Sequence, residues 1–449
     1  MKVLFVSLGC DKNLTDSEKM LGLLADKGYS FTDDESEAEI AIINTCSFIS
    51  DAKEESINEI IRIAEYKKSG KLQALIICGC LAERYKDQIS TELPEVDGVV
   101  GIAGWDEIVR VVEETLKNKK ARFFRPQSDN IVPTLNCSAK RHITGGGHYA
   151  YLKIAEGCNK RCTYCSIPFI RGGYNSVPME SLIEETEYLA GQGVKELILV
   201  AQETTCYGID IYGKKSLHIL LEKLSKTEGI EMIRLFYCYP EEITDELIEE
   251  MKNNPKVCHY LDMPLQHSEN DILKRMGRRT TREEIIGRIE KLRKEIPDIS
   301  LRTTIISGFP GESEEDHNNL LEFIDEMEFD HLGAFAYSPE EGTKAEKMPG
   351  QIDEETKKRR VDAIMSLQHE ICADINERQV GRTLKVIVDG FLPEDLVYAG
   401  RSYMDAPDVD GLVFFKSSAS YMTGDIVNVK ITGASEYDLI GEVSNESSK

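Results

Sequence analysis

No stretch of the chain is apolar for long enough to cross a membrane. The most apolar segment, residues 72–82, is interrupted by glycine and is far shorter than the roughly 20 residues that a membrane helix needs. Residues 1–8 contain one lysine and a short apolar run but no small-residue cleavage site, so they lack the pattern of a signal peptide. We therefore expect a cytoplasmic protein that has no membrane partner.

Basic residues are also scarce relative to acidic ones. The chain has 54 Lys and Arg against 79 Asp and Glu, a formal net charge of −25 at pH 7. An acidic surface repels phosphate backbones over a Debye length of about 8 Å at physiological salt, which disfavours unassisted nucleic-acid binding. A basic protein fits such a surface better, although an acidic balance also serves simply to keep a protein soluble.

Internal repeats and low-complexity segments are absent, and 449 residues predict two or three domains. The first segment alternates short apolar runs (3–6, 40–43, 74–77 and 99–100) with amphipathic helical patterns (17–27, 54–65, 83–89 and 106–116). This alternation predicts a Rossmann-like parallel sheet in a domain over residues 1–118. Residues 119–143 are polar, contain Pro126 and Pro133, and are predicted to form a linker.

The central segment repeats the strand–helix alternation about six times. Strands are predicted at 149–155, 196–201, 232–237, 259–262, 301–306 and 331–335. Six such units indicate a partial (β/α)6 barrel of the TIM type over residues 144–378, with a trailing helix at 353–378. In such barrels the chemistry lies at the carboxyl ends of the strands.

The tail, residues 379–449, changes character to short β-type runs at 384–388, 412–415 and 426–431, separated by glycines. We expect a small antiparallel β-barrel. Residues 381–449 carry six Lys and Arg against eleven Asp and Glu, which is unfavourable for an RNA clamp. Asp405, Asp408 and Asp410 are predicted to form an exposed acidic cluster on a loop bounded by proline and glycine.

Twelve cysteines in a chain without an export signal point to metal ligation or redox chemistry rather than to disulfides. Cys158, Cys162 and Cys165 lie within eight residues, directly after the first barrel strand. A compact loop of this kind can wrap a cubic iron–sulfur cluster. A zinc site normally needs a fourth Cys or His close by, and the nearest, His148 and Cys206, lie well outside the loop. Three ligands for four irons leave one iron open.

This Cys-x-x-x-Cys-x-x-Cys loop resembles that of radical S-adenosylmethionine (SAM) enzymes. The resemblance implies a four-iron four-sulfur cluster on Cys158, Cys162 and Cys165, the catalytic residues, whose open iron binds the methionyl amine and carboxylate of SAM. It also implies reductive cleavage of SAM to a 5′-deoxyadenosyl radical, with Tyr164 helping to hold the adenine.

Other segments at predicted strand ends resemble the cofactor-facing segments of the same family. They contain Gln202 and Glu203 after the second barrel strand, Gln266 after the fourth and Gly308 after the fifth. The reading is open, since the Gly-Phe-Pro-Gly run at 308–311 equally suits a turn and His267 equally suits a structural histidine.

A second set of cysteines follows the strands of the N-terminal sheet. Cys10, Cys46 and Cys80 come directly after the first, second and third predicted strands. Ligands gather outside the carboxyl ends of parallel strands, so these cysteines predict a second cluster site. Cys78 still lies within its apolar run and is expected to pack in the sheet. Five further cysteines have no partner spacing and are expected to be packing residues: Cys137, Cys206, Cys238, Cys258 and Cys372.

Two three-cysteine sites and a small β tail resemble the methylthiotransferase family over essentially the whole chain. The matching motifs are Ser-Leu-Gly-Cys-Asp-Lys-Asn at 7–13, Asn-Thr-Cys at 44–46, Gly-Cys at 79–80, Ala-Glu-Gly-Cys at 155–158, Ile-Pro at 167–168 and Arg-Gly at 171–172. The resemblance implies two 4Fe-4S clusters, the N-terminal one carrying a methylated sulfur. One SAM would act as methyl donor, a second as radical source, and the tail would be a TRAM domain.

The residues after Cys10, Asp11-Lys12-Asn13, resemble the branch that modifies the β-carbon of an aspartate in small-subunit ribosomal protein twelve. Members acting on transfer RNA tend to have glutamine and methionine there. A flavodoxin-like or other low-potential donor is implied, because such clusters lie at or below roughly −400 mV. Two alternatives stay open: a transfer-RNA adenosine methylthiotransferase, and a non-catalytic two-cluster electron carrier, which would normally complete each cluster with a fourth cysteine.

Overall fold

The N-terminal domain is built on a six-stranded parallel sheet. The computed structural model describes residues 1–117, 120–125 and 141–444. The strands are β1 (Lys2–Ser7), β2 (Ser30–Phe31), β3 (Ile40–Thr45), β4 (Ala74–Gly79), β5 (Gly98–Val100) and β6 (Ala121–Phe123), in the order β2-β1-β3-β4-β5-β6. The helices are α1 (Asp11–Asp26), α2 (Ser50–Ala64), α3 (Cys80–Arg84), α4 (Ile89–Glu92) and α5 (Ile108–Thr115).

Residues of β3 and β4 are buried throughout, because helices cover both faces of a parallel sheet. The predicted Rossmann-like domain is confirmed, with two short edge strands, β2 and β6, that the apolar pattern did not indicate. Helix α1 begins at Asp11, six residues before its predicted start, so Cys10 is its N-cap residue.

The central domain is an open sheet of six parallel strands in the order β14-β13-β12-β11-β10-β7. These strands are β7 (Tyr149–Lys153), β10 (Glu196–Val200), β11 (Met232–Leu235), β12 (Val257–Asp262), β13 (Ser300–Ser307) and β14 (His331–Ala336), and a two-stranded pair, β8 (Ala155–Glu156) and β9 (Asn175–Ser176), follows β7. The helices are α6 (Ile167–Ile170), α7 (Met179–Gly191), α8 (Leu217–Leu224), α9 (Asp245–Asn253), α10 (Asn270–Met276), α11 (Arg282–Glu295), α12 (Glu314–Met327) and α13 (Glu354–Glu377). The predicted partial barrel and its trailing helix are confirmed.

The C-terminal domain is a closed five-stranded barrel of β15 (Thr383–Leu392), β16 (Val397–Arg401), β17 (Val413–Lys416), β18 (Ile426–Ala434) and β19 (Leu439–Val443). Four strand pairs are antiparallel, as predicted, and the β17–β19 pair is parallel. Along β18 buried and exposed residues alternate, which is the pattern of a strand with one face on a core.

Buried ion pairs hold the N-terminal domain against the central one. Arg141 donates to Glu18 of α1 at 2.6 and 2.8 Å and to Glu185 of α7 at 2.9 Å. Lys19 of α1 donates to the same Glu185 at 2.9 Å. Because each charge is paired across the boundary, the two domains have one preferred relative orientation. Most of the predicted linker, residues 126–140, lies outside the described residues.

The predicted exposed acidic cluster at Asp405, Asp408 and Asp410 is wrong for two of its three members. The Asp410 side chain is 1% exposed, and its carboxylate lies 3.3 Å from Arg302 Nε and accepts from Tyr260 Oη at 2.7 Å. Asp405 is also buried, 3.8 Å from His331. Only Asp408 is exposed. The loop packs against the central sheet, where barrel cations neutralise both buried acids.

Within the described residues no helix is long and apolar enough to span a membrane.

Candidate active site

Cys158, Cys162 and Cys165, the barrel cysteine triad, lie on a tight loop that begins at the end of β8. Gly157 has φ +77°, and a Cβ there would lie 2.1 Å from the Gly173 carbonyl oxygen, so only glycine fits. Cys158 N donates to Gly172 O at 3.1 Å, and Cys165 N donates to Cys162 O at 3.1 Å. These backbone bonds hold the three thiols together at the carboxyl end of the sheet.

Burial raises the pKa of the Cys158 thiol to about 11 and that of Cys165 to about 12. Thiols with such pKa values are protonated near neutral pH unless a cation stabilises the thiolate. Bound iron is such a cation, since a coordinating thiol is deprotonated outright. The loop geometry and the number of thiols therefore fit a three-ligand iron–sulfur cluster. Within the described ranges, no three His, Cys, Asp or Glu side chains are grouped so as to hold a single metal ion.

Two residues that the sequence did not single out lie beside this triad. Tyr239 Oη is 3.7 Å from Cys162 Sγ, and the Arg278 guanidinium lies 3.9 Å from the centre of the Tyr239 ring. Arg278 donates to Pro264 O at 2.9 Å, but its Nε and Nη1 are buried without a hydrogen-bond partner. Arg278 lies between α10 and α11, away from any strand end, so the strand-end rule could not have found it.

Gln202 and Glu203 follow β10, and Gln202 contacts Glu156, two residues before Cys158. Gln202 Nε2 donates to Glu156 Oε1 at 3.0 Å, and Gln202 Oε1 is buried without a partner. Glu203 is 1% exposed and accepts from Thr205 N at 3.0 Å, while its Oε2 has no partner. Burial raises the pKa of Glu203 to about 7. Both side chains thus keep a buried oxygen available to a ligand.

The other predicted cofactor contacts are Tyr164, Gln266 and Gly308, and the neighbours of the three residues differ. Tyr164 is half-buried, edge-on to Phe309 with ring centres 6.5 Å apart. Gln266 has φ +75°, and its backbone pairs with Thr304 and Ile306 of β13. Gly308 packs on Lys357, where a Cβ would lie 2.4 Å from Lys357 Cγ.

His267 is fully buried and its Nδ1 accepts from Glu269 N at 3.0 Å. Burial lowers the pKa of His267 to about 3, so this imidazole is neutral. His267 Nε2, by contrast, is buried without a hydrogen-bond partner and lies 3.8 Å from Glu312 Oε2.

Cys10, Cys46 and Cys80, the N-terminal cysteine triad, share the carboxyl rim of the first sheet. Cys10 follows β1 and Cys46 follows β3, and the turn at Gly9 (φ +91°) is so close that a Cβ there would lie 2.8 Å from Cys46 Cβ. Cys80 is the first residue of α3, directly after β4. Burial raises the pKa of Cys80 to about 11. The three thiols therefore have the placement that the sequence predicted.

The remaining described cysteines belong to neither triad. Cys78 is buried within β4, its Sγ 3.6 Å from Ile43 O, and packs with Val100 and Trp105. Cys238, Cys258 and Cys372 are buried, and Cys206 is half-buried. Cys137 lies outside the described residues.

A buried charge network joins the two triads. Arg171 Nη1 donates to both carboxylate oxygens of Glu156 at 2.8 and 3.0 Å. Its Nη2 donates to Asn13 Oδ1 at 2.6 Å and to Cys80 Sγ at 3.4 Å. Lys153 donates to Glu156 at 2.9 Å and also pairs with Asp16 of α1. Burial by itself would raise the pKa of Glu156, but Arg171 and Lys153 hold it well below its usual range.

The segment after β11 runs from the barrel triad to a residue beside the N-terminal triad. Tyr239 contacts Cys162 of the barrel triad. Two residues earlier, Tyr237 Oη donates to Asp11 Oδ1 at 3.2 Å, beside Cys10 of the N-terminal triad, and Tyr237 has φ +59°. One three-residue segment thus spans the distance between the two sets of thiols.

Comparison with known proteins gives matches along the whole chain. Three family models match: "Uncharacterized protein family UPF0004" at residues 2–101, "Radical SAM superfamily" at 152–324 and "TRAM domain" at 380–443. A Lachnoclostridium phytofermentans protein named ribosomal protein uS12 methylthiotransferase RimO is 55% identical over 98% of this chain and 99% of its own length. Proteins of the same name from Acetivibrio thermocellus (51% identity, 100% and 99% coverage) and Clostridioides difficile (46%, 99% and 99%) also match.

Solved structures share the fold at low identity. The radical SAM methyltransferase TsrM of Kitasatospora setae, with tryptophan and a SAM analogue bound, has a TM-score of 0.55 at 14% identity and covers 86% of this chain and 78% of its own. The cobalamin-dependent SAM radical enzyme OxsB has a TM-score of 0.53 at 13% identity, covering 82% and 56%.

Proposed function

The chain belongs to the ribosomal protein uS12 methylthiotransferase family, and on this premise we propose that it transfers a methylthio group to the β-carbon of an aspartate of uS12. In this reaction the Cβ–H bond of the acceptor is replaced by a Cβ–S bond. The hydrogen leaves with 5′-deoxyadenosine, and a second SAM supplies the methyl group of the sulfur. The observation that carries the proposal is the pair of cysteine triads: residues 237–239 run from Asp11, next to Cys10, to Cys162, and Arg171 donates both to Cys80 and to Glu156, two residues before Cys158.

Cys158, Cys162 and Cys165 are proposed to hold one 4Fe-4S cluster, and Cys10, Cys46 and Cys80 a second. When bound, a cluster with an open iron supplies the electron for SAM cleavage at the barrel site and a place for the transferable sulfur at the N-terminal site. Each set has three thiols, two buried and one half-buried, and three ligands for four irons leave one iron without a protein ligand. Cys78 is left out of the proposed set, because it lies inside β4.

The residues around the barrel triad are suited to binding SAM. Arg278 has two buried N–H groups without partners, which a carboxylate can accept from. Gln202 and Glu203 each keep a free buried oxygen, which suits an amine or a hydroxyl group. Tyr164, next to Cys165, packs edge-on against Phe309 and offers an aromatic surface for the adenine. Gln266 and Gly308 stay predicted contacts on the strength of their strand-end positions.

The acceptor and the electron donor follow from charge and chemistry. A chain with a net charge of −25 attracts a basic ribosomal protein and repels RNA. The electron is proposed to come from a flavodoxin-like or other low-potential donor, in the cytoplasm. Arg171 donates to Cys80 Sγ and is proposed to orient this thiol. Because hydrogen bonds to the sulfurs of a cluster tune its reduction potential, the same contact is proposed to affect the potential of the N-terminal cluster.

Anaerobic reconstitution followed by mass spectrometry tests the function. The reconstituted enzyme, SAM and a chemical reductant are incubated with isolated uS12 and, separately, with transfer RNA. We expect uS12 to gain the mass of one methylthio group on an aspartate, and Cys158→Ala and Cys10→Ala to abolish this gain. Cys372→Ala, a buried thiol on α13, is the matched control. Modification of transfer RNA instead would favour the adenosine enzyme, and no modification of either acceptor would favour the electron carrier.

A further inference from the structure

Several buried cations lie near the two triads, and most have their donors satisfied. Arg171 is paired with Glu156 and Asn13, and Lys153 with Asp16 and Glu156. Lys160 is paired with Glu241 and Glu242. None of these three needs a further anion. Arg278, with two free N–H groups, lies on the side of the barrel triad.

Lys12 is different, because it is buried and its ammonium has few hydrogen-bond or ion-pair partners. Its side chain is 8% exposed, and among the residues that the structure describes its ammonium has one carboxylate within ion-pair distance, Asp11 at 3.2 Å. Its Nζ also lies over the face of Tyr237, 3.3 Å from the ring centre. An ammonium has three N–H donors, so Lys12 retains donors for another acceptor.

A second unsatisfied atom lies beside it. Asp11 Oδ1 accepts from Tyr237 Oη at 3.2 Å, but Asp11 Oδ2 is buried without a hydrogen-bond partner. A buried polar group without a partner is costly, and a bound ligand is one way to satisfy it. Lys12 and Asp11 together therefore suit a ligand with both an anionic acceptor and a donor, as an aspartate residue has in its carboxylate and its backbone N–H.

The position of this pair agrees with the chemistry. In the proposed reaction the acceptor carbon must be reached from both triads, since hydrogen is removed on the barrel side and sulfur arrives from the N-terminal side. Lys12 lies two residues after Cys10 and against Tyr237, and Tyr239 lies against Cys162. A carboxylate held by Lys12 would therefore lie at the Tyr237 end of the segment whose Tyr239 end contacts Cys162.

We infer that Lys12 binds the carboxylate of the acceptor side chain and so selects an acidic residue as the acceptor, an inference that rests on the proposed function. Burial of a carboxylate without a cation is strongly unfavourable, so a site for aspartate needs a cation with free N–H donors, and Lys12 retains such donors beside its ion pair with Asp11. Asp11 and Tyr237 hold the ammonium in place before the acceptor arrives. Lys12 thus makes the site unfavourable for an uncharged side chain of the same shape.

The test compares two forms of uS12. Mass spectrometry on the wild-type reaction first identifies the modified aspartate, and a second form of uS12 has asparagine there. We expect wild-type enzyme to bind the aspartate form at least roughly tenfold more tightly, the range for a hydrogen bond to a charged group. Lys12→Met should lose this preference and Lys12→Arg should keep it, while iron content and the cluster absorption spectra stay as in wild type.

The control is Lys19→Met, which also removes a buried ammonium from α1. Lys19 donates to Glu185 and is not part of the proposed acceptor site. This variant should melt at a lower temperature and keep the aspartate preference. Should Lys12→Met not fold, Lys12→Gln offers a smaller change at the same position. If a folded Lys12 variant without charge still prefers the aspartate form by the wild-type factor, the inference is wrong. A wild-type enzyme that modifies no protein would overturn the proposed function itself, and with it the role of Lys12.

Discussion

The assignment of the N-terminal cluster to Cys80 rather than Cys78 gives a sharp prediction, because the two thiols are only two residues apart. Cys78 is inside β4, with its Sγ directed at Ile43 O at 3.6 Å and packed with Val100. Cys80 lies beyond the strand end, where Arg171 Nη2 donates to its Sγ at 3.4 Å. Two residues apart, both side chains are expected on the same face of the sheet. Their roles are therefore decided by position, since Cys78 lies within the strand and Cys80 follows its last residue.

The expected magnitudes differ in kind. Two clusters of four irons make about eight irons per chain, so Cys80→Ala should lose about half of the iron. Cys78→Ala should keep all of it and lower the free energy of unfolding by about 1 to 3 kcal/mol, since it removes a buried sulfur from a packed core. Cys80→Ala leaves Arg171 bound to Glu156 and Asn13, so the link between the domains survives.

Iron and sulfide analysis, with electron paramagnetic resonance of the reduced proteins, measures both effects after anaerobic reconstitution. Cys158→Ala should lose the other half of the iron, and the Cys80→Ala/Cys158→Ala double variant should lose nearly all of it. If Cys78→Ala lost half of the iron and Cys80→Ala lost none, the choice of thiol, and the use of strand ends to make it, would be refuted.

Three further predictions concern the barrel and its contact with the C-terminal domain. Glu196 is buried, which by itself would raise its pKa, but Arg401 and Arg234 lower the pKa below the usual 4.5. The stabilisation of the folded state by this carboxylate is therefore complete above pH 4.5 and is lost as the pH falls through the lowered pKa. Glu196→Gln should lower the free energy of unfolding by about 3 to 5 kcal/mol at pH 7. Melting curves should show a smaller difference in melting temperature between variant and wild type at pH 4 than at pH 7. An equal difference at both pH values would count against the pairing. Gly157→Ala should lose the barrel cluster, because a Cβ would lie 2.1 Å from Gly173 O, whereas Gly287→Ala, with open space around it, should keep both clusters. Arg278→Met should weaken SAM binding without loss of iron, as measured by calorimetry on the reconstituted enzyme. Arg279→Met, which changes an exposed neighbour, should leave SAM binding unchanged. Equal SAM affinities of the two variants would remove Arg278 from the SAM site.

The sequence by itself was sufficient for the order of the main strands and helices in the first two domains and for the position of both triads at strand ends. Apolar runs of strand length alternate with amphipathic helices there, and parallel strands bring their carboxyl ends to one rim. Cys10, Cys46 and Cys80 could therefore be grouped although they are up to 70 positions apart. The edge strands β2 and β6 escaped notice because two or three residues give no periodic signal.

The tertiary structure alone decided which charged residues are buried and what they contact. In a sequence, Asp410 and Lys12 look like surface residues, because charged side chains are seldom buried unless paired. Asp410 is buried because Arg302 and Tyr260, more than 100 positions away, reach it from the central sheet. Lys12 meets Tyr237 only because the first two domains pack in one orientation. Such contacts depend on the relative placement of whole domains, and no local pattern of residue types encodes that placement.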